Sequence, residues 1–256
     1  ICLFGSIRIV CEQTPAELKL APKAQALLAY LLIHGPRLHP RDVLIDIFWQ
    51  DQHQARDCLN TALWRLKRVL EPAGVTPGTY LVTRPEGEVG FNWASEHWFD
   101  MKIFEEQARW LLSQPLQALS SANITSFEET LQLYTGDLLP AARYAEWAAA
   151  PRERLIQMHL RALVALAGER LAAGRALEAL DACQRALSID PWQEQAVLIG
   201  MRACQAMGDR TTALRLYRDL EQSLRQELQT EPLRELQNLY RALIGPRRRK
   251  TPGQAP

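Results

Sequence analysis

The apolar positions of this chain follow two textures. Up to about residue 95, short alternating runs are interleaved with short stretches at helical spacing; from about residue 100 to 244, one helical pattern follows another. "CLFGSIRIV" and "ELKL" alternate apolar and polar residues, which predicts half-buried strands. "KAQALLAYLLIH" places Leu27, Leu28, Leu31 and Leu32 at helical spacing and is stopped by Gly35 and Pro36. "HPRDVLIDIFW" predicts a short second helix. Pro40 sits near its start, and Asp42 in its first turn, where the helix dipole favours a negative charge. "ARDCLNTALWRLKRVL", from Ala55 to Leu70, predicts a third helix, ended by Pro72 and Gly74. "YLVTRPEGEVGFN" predicts two strands around a "PEG" turn. The order is strands, three helices, hairpin, with the short "QDQHQ" joining the second and third helices. This is a winged helix-turn-helix arrangement, in which a helix is presented outward and flanked by a two-stranded wing.

The second half repeats itself. Gly174 recurs as Gly208, Ala179 as Ala213, Leu180 as Leu214 and Cys183 as Tyr217, each pair 34 residues apart, the tetratricopeptide period. "GRALEALDACQRALSIDP" carries the second-helix pattern of this repeat: Gly174 at the turn, small Ala179 and Ala186 where helices cross closely, Pro191 at the end. Asp190, Pro191 and Gln193 predict the start of the next helix, as acceptor N-cap, first-position proline and capping-box partner. "DRTTALRLYRDLEQSLRQEL" is the matching second helix of the next pair, and "EPLRELQNLYRAL" a terminal helix that caps the array. Upstream, "MKIFEEQARWLL" and "FEETLQLYTGDLLP" predict a degenerate first pair, and "EWAAAPRERLIQMHLRALVALAGERLAAG" the first helix of the second. The expected fold is mainly α with a small β component. A winged helix-turn-helix domain covers residues 1–97, a tetratricopeptide-like α-helical repeat domain 98–244, and a disordered tail or linker 245–256.

Composition narrows the function classes. The 256 residues are 47% hydrophobic and 23% charged, a soluble globular profile for one large or two ordinary domains. A net charge of +1 excludes a histone-like basic chain, so any nucleic-acid contact must rest on a local patch. Runs such as "ALLAYLLI" are far shorter than the ~20 residues a membrane span needs, and no secretory signal opens the chain. A start at Ile1 and a linker-like tail fit a piece of something longer. Cys2, Cys11, Cys58, Cys183 and Cys204 form no C-x-x-C pair and no zinc-ligand spacing, and are expected to be reduced, buried and apolar in role. No G-x-x-x-x-G-K-[ST], G-x-G-x-x-G or H-E-x-x-H occurs, and His34, His39, His53, His97 and His159 are scattered singly. The expectation is a chain with no catalytic site, no cofactor and no metal.

"KAQALLAYLLIHGPRLHPRDVLIDIFWQDQHQARDCLNTALWRLKRVLEP" resembles the OmpR-type winged-helix domain of bacterial SARP-like transcriptional activators. "YAEWAAAPRERL", "GRALEALDACQRALSIDP" and "LRQELQTEPLRELQNLYRAL" resemble the bacterial transcriptional activation domain that follows it. The two pieces stand in the family's order and span Leu3 to Leu243. The resemblance implies a transcription regulator whose first domain binds double-stranded DNA. It implies that the helical repeats mediate self-association, as in a homodimer, or contact another protein such as RNA polymerase. It further implies a place in the bacterial cytoplasm, on the nucleoid when DNA-bound, and no membrane partner.

The third helix supplies the candidate DNA contacts. At 100° per residue, Leu59, Ala62, Leu63, Leu66 and Leu70 share one apolar arc. Thr61, Trp64, Arg65 and Arg68 lie roughly opposite, flanked by Asn60 and Lys67. A major-groove helix needs this chemistry: Arg and Lys for guanine edges or phosphates, Asn for adenine, Thr for base methyls or phosphates. The bland alternative is a solvated basic face, and the position after a helical turn and before a hairpin weighs against it. Trp64 fits packing, against the wing or a partner subunit, better than a base contact. Asp57 is unfavourable beside phosphates. Arg84, with Thr83, is placed to reach a minor groove or a phosphate from the wing, yet Glu86 and Glu88 sit at its tip and would repel DNA. Arg37 and Arg41, near the start of the second helix, are candidate phosphate contacts. The acidic wing and near-neutral charge also leave open a protein-interaction module of a longer signalling protein, without DNA binding of its own.

Overall fold

The computed structural model describes residues 1–10, 20–114 and 121–245. It divides into two compact units, Ile1–Glu106 with Gln132–Ile156, and Gln107–Leu131 with Gln157–Pro256. The first unit therefore runs on past residue 97 and takes in a later segment of the chain.

The first unit is built on three helices and a small sheet. Helix α1 (Pro22–Ile33) starts on a proline, which suits a first helical position. It is buried nearly all round, through Leu27, Leu28, Leu31 and Leu32 and also Ala24, Ala29 and Tyr30. Strand β1 (His39–Pro40) leads directly into α2 (Arg41–Trp49), and α3 (Ala55–Leu70) follows, packed on α1 and α2. Strands β2 (Leu81–Thr83) and β3 (Glu88–Phe91) form the predicted hairpin. The sheet order is β1-β3-β2, antiparallel, with His39 opposite Val89 and Val82 opposite Gly90. The backbones approach closely at Gly90: a Cβ there would lie 2.6 Å from Leu38 Cδ2 and 3.2 Å from the Arg37 carbonyl oxygen, so a larger residue would force both to shift.

Two expectations are corrected in this unit. "CLFGSIRIV" forms isolated bridges, Cys2 with Arg8 and Phe4 with Leu138, rather than strands. The backbone N–H groups of Leu3 and Phe4 donate instead to the buried carboxylate of Asp100, at 2.9 and 3.1 Å, so no neighbouring strand takes them. Burial pushes the Asp100 carboxyl up, against the pull of these bonds. The second helix begins at Arg41, because His39 and Pro40 are held in the sheet. Of "ELKL", only Leu20 lies within the described residues.

The chain passes between the units within α4 (Asp100–Leu112), α5 (Ser121–Leu133) and α6 (Glu146–Ala172). The second unit continues with α7 (Ala176–Ile189), α8 (Glu194–Met207), α9 (Arg210–Ser223), a π-turn over Leu224–Leu228, and α10 (Arg234–Ile244). Helices pack in series, α7 on α8, α8 on α9, and α10 on both. The 34-residue repeat is visible in the backbone: Gly174 and Gly208 both take φ 77°, and Ala179 and Ala213 are both fully buried. At Gly200, mid-α8, a Cβ would meet Leu216 at 3.3 Å, so the missing side chain lets α9 approach. Tyr217 stacks on Tyr240 with ring centroids 4.1 Å apart and seats α10 as the cap. Buried Arg170 meets Glu169 on α6, Glu178 on α7 and Glu128 on α5, which ties three helices.

Asp190 does not cap α8 as predicted. Its carboxylate accepts the Trp192 N–H at 2.9 Å and closes a turn, and the helix begins at Glu194. The cysteines divide: Cys183 and Cys204 are buried, whereas Cys2 and Cys58 are only half-buried, and Cys11 lies outside the described residues. Among the described residues no helix is long and apolar enough to cross a membrane, and no cluster of His, Cys, Asp or Glu could hold a metal ion. Of the tail 245–256, only Gly245 is described.

Candidate nucleic-acid interface

Helix α3 buries Leu59, Ala62, Leu63, Leu66 and Leu70, the predicted stripe, against α1 and α2. That burial fixes the rotation of the helix, so the opposite face is turned to solvent. Asn60, Thr61, Trp64, Arg65 and Arg68 are exposed, and Lys67 is half-buried at the edge.

The C-terminal end of α3 also fixes the wing. Glu71 accepts N–H bonds from Gly78 at 3.0 Å, Tyr80 at 2.8 Å and Leu81 at 2.9 Å, where β2 begins. Burial pushes its carboxyl up, but the three N–H bonds and Lys67 outweigh this and hold it below the usual range. An ionised Glu71 thus anchors the first strand of the wing, a role the sequence did not disclose because its partners are backbone N–H groups, which leave no mark in side-chain pattern.

The candidate residues fall into small groups. The Arg41 guanidinium donates to Asn60 Oδ1, and the Arg41 N–H donates to the carbonyl of Gly87 in the wing turn at 3.0 Å. The Arg68 guanidinium lies over the Trp64 ring, 4.8 Å from its centroid. Trp64, Arg65 and Arg68 line one side of an open groove of about 440 Å³, with Val69, Leu20 and Ala21. Leu20 and Ala21 had no signal in the sequence, since they lie far from α3 along the chain. Arg84 is exposed on the wing but paired with Glu88 at 3.7 Å, and Glu86 is exposed beside it. Arg37 is exposed on the segment between α1 and β1. Near the start of α3, Arg56 faces Asp42 at 4.0 Å, both strongly exposed.

Residues 99–244 match the family described as bacterial transcriptional activator domain. The transcriptional regulatory protein MoaR1 of Mycobacterium tuberculosis is 25% identical over 228 residues, which cover 87% of this chain and 72% of MoaR1. The regulatory protein AfsR of Streptomyces coelicolor is 26% identical over 230 residues, 88% of this chain but 22% of AfsR. In fold, the chain is similar to EmbR of Mycobacterium tuberculosis, solved in complex with a low-affinity phosphopeptide. The TM-score is 0.79, with 22% identity, over 94% of this chain and 64% of EmbR. The chain thus spans less than two thirds of EmbR and about a fifth of AfsR. The fold is a winged helix followed by a helical-repeat domain, and of the relatives MoaR1 is a transcriptional regulatory protein and AfsR a regulatory protein. With more than half of its residues matched, this chain belongs to the bacterial transcriptional activator domain family and is a SARP-like regulator.

Proposed function

We propose that this chain is a sequence-specific DNA-binding activator of transcription. In this reading α3 lies in the major groove and the helical repeats mediate self-association or contact another protein such as RNA polymerase. One observation carries it: α3 is held by a fully buried apolar stripe while Asn60, Thr61, Trp64, Arg65 and Arg68 stand together on its exposed face. Base edges are read by side chains of this kind, and phosphates by the same cations. The wing contributes less, because Arg84 is already engaged by Glu88.

Duplexes selected from a random-sequence pool should bind the chain with an affinity that falls steeply with salt. Changing Arg65 and Arg68 together to Ala should weaken the selected duplex by about tenfold or more, with little effect on thermal stability, since both side chains are exposed. A double variant that binds as well as the wild type would sink the proposal. The other reading is a protein-docking module. It is favoured by the exposed Glu86 and by the indole left open on α3. It requires that face to be covered in the full-length protein, and a free, DNA-bound face excludes it.

A further inference from the structure

Arg41 is the first residue of α2, and two hydrogen bonds and one close approach converge on it. Its N–H donates to the Gly87 carbonyl of the wing turn at 3.0 Å. Its Cδ lies 3.8 Å from the point where a Cβ on Gly87 would stand, so its stem runs beneath that turn. Its guanidinium reaches across to Oδ1 of Asn60 in the second turn of α3. One residue therefore joins the wing turn, the start of α2 and the exposed face of α3.

The chemistry of that last bond fixes an orientation. A guanidinium has five N–H donors and no acceptor, so only the oxygen of a carboxamide can face it. The Asn60 amide is accordingly held with Oδ1 toward Arg41 and Nδ2 away from it. We infer that Arg41 is a positioning residue for base reading, setting the amide of Asn60 so that it offers a donor to the DNA, rather than a phosphate contact in its own right. This rests on the DNA-binding reading of α3. In the major groove, adenine and guanine offer N7, guanine also O6, and thymine O4 as acceptors, whereas cytosine offers its N4–H donor. The base facing Asn60 should then be one that carries an acceptor, with cytosine excluded.

The two roles separate in measurement. A phosphate contact adds about 0.9 to the slope of log affinity against log salt and weakens all sequences alike. A positioning residue leaves that slope in place and alters the preference at one base. The experiment uses the whole chain and duplexes selected from a random-sequence pool, for wild type, Arg41→Met, Asn60→Ala and the double variant, with thermal unfolding as a check of folding. The expected result is that Arg41→Met abolishes cytosine exclusion at one position. That position is also the one flattened by Asn60→Ala, the discrimination lost is on the order of tenfold, and the salt slope is unchanged. In the Asn60→Ala background, Arg41→Met should add nothing, the signature of one residue acting through the other. Arg41→Gln, which keeps a donor but not the charge, should retain the preference and covers the case of a poorly folded Arg41→Met. A slope lowered by about one with the base profile intact overturns the role. An Arg41→Met effect that persists in the Asn60→Ala background overturns it as well. Absence of salt-sensitive duplex binding by the wild type would instead overturn the DNA reading itself, and this role with it.

Discussion

An indole left 56% exposed, on a helix whose opposite stripe is buried, adds nothing to the core it rides on. Trp64 has a local partner, the guanidinium of Arg68 one turn on, 4.8 Å from its ring centroid. At an exposed site such a contact stabilises by about 0.5–1 kcal/mol, and its larger effect is to restrict a long side chain that would otherwise lose rotamer freedom on binding. In the DNA-binding reading, Trp64→Ala should therefore weaken the selected duplex by about two- to fivefold and leave the melting temperature nearly unchanged. Trp64→Phe, with a weaker π face, should fall between. A Trp64→Ala variant with full DNA affinity but lost self-association would instead make Trp64 a subunit contact. The residue types on this face were legible from helical spacing alone. The partners were not: Arg41 and Asn60 are 19 positions apart, and nothing in their separate patterns marks a bond between two polar surface groups. Nor was the engagement of Arg84 by Glu88 on the facing strand, which the acidic turn marks only as unfavourable to DNA.

Elements with one strong period are legible in the sequence, and elements defined by competition for N–H groups are not. Helix α3 has the predicted bounds, since its stripe and its flanking "EPAG" leave few alternatives. The N-terminal run alternates as a strand should, yet a distant carboxylate, Asp100, takes its N–H groups, and alternation carries no information about that. The start of α8 departs from the expectation for a similar reason, a side-chain turn at Asp190 replacing a cap. Helix α6 brings a titratable group into the repeat unit. His159 is 4% exposed, and burial first, then Arg185, pushes its pKa down to about 4. The unfolded imidazole takes up its proton near pH ~6.5, so the unfolded state binds more protons between these values. Stability from this group is therefore full above about pH 6.5 and is lost as the pH falls toward about 4, on the order of 2 kcal/mol by roughly pH 5. His159→Gln should flatten that part of the acid destabilisation in thermal unfolding scans. Equal slopes for variant and wild type across this range would show that His159 does not titrate as described.

Across the whole molecule, a net charge of +1 gives no long-range field to draw DNA in, so affinity must come from the cations that touch it. Arg41 is bonded to Asn60, Arg56 faces Asp42 and Arg84 faces Glu88. Arg37, Arg65, Lys67 and Arg68 carry no salt bridge among the described residues. If these four neutralise phosphates, log affinity should fall against log salt with a slope of about −3 to −4 for each bound copy, at about 0.9 per phosphate. Two copies on one duplex should double the slope, so the ratio of slope to stoichiometry, the latter from sedimentation of the complex, tests the patch independently of self-association. A per-copy slope near zero would remove α3 from the DNA. A per-copy slope well beyond −4 would require other cations. The Arg247–Lys250 run is the first candidate, and its deletion should then bring the slope back to the value set by the α3 face.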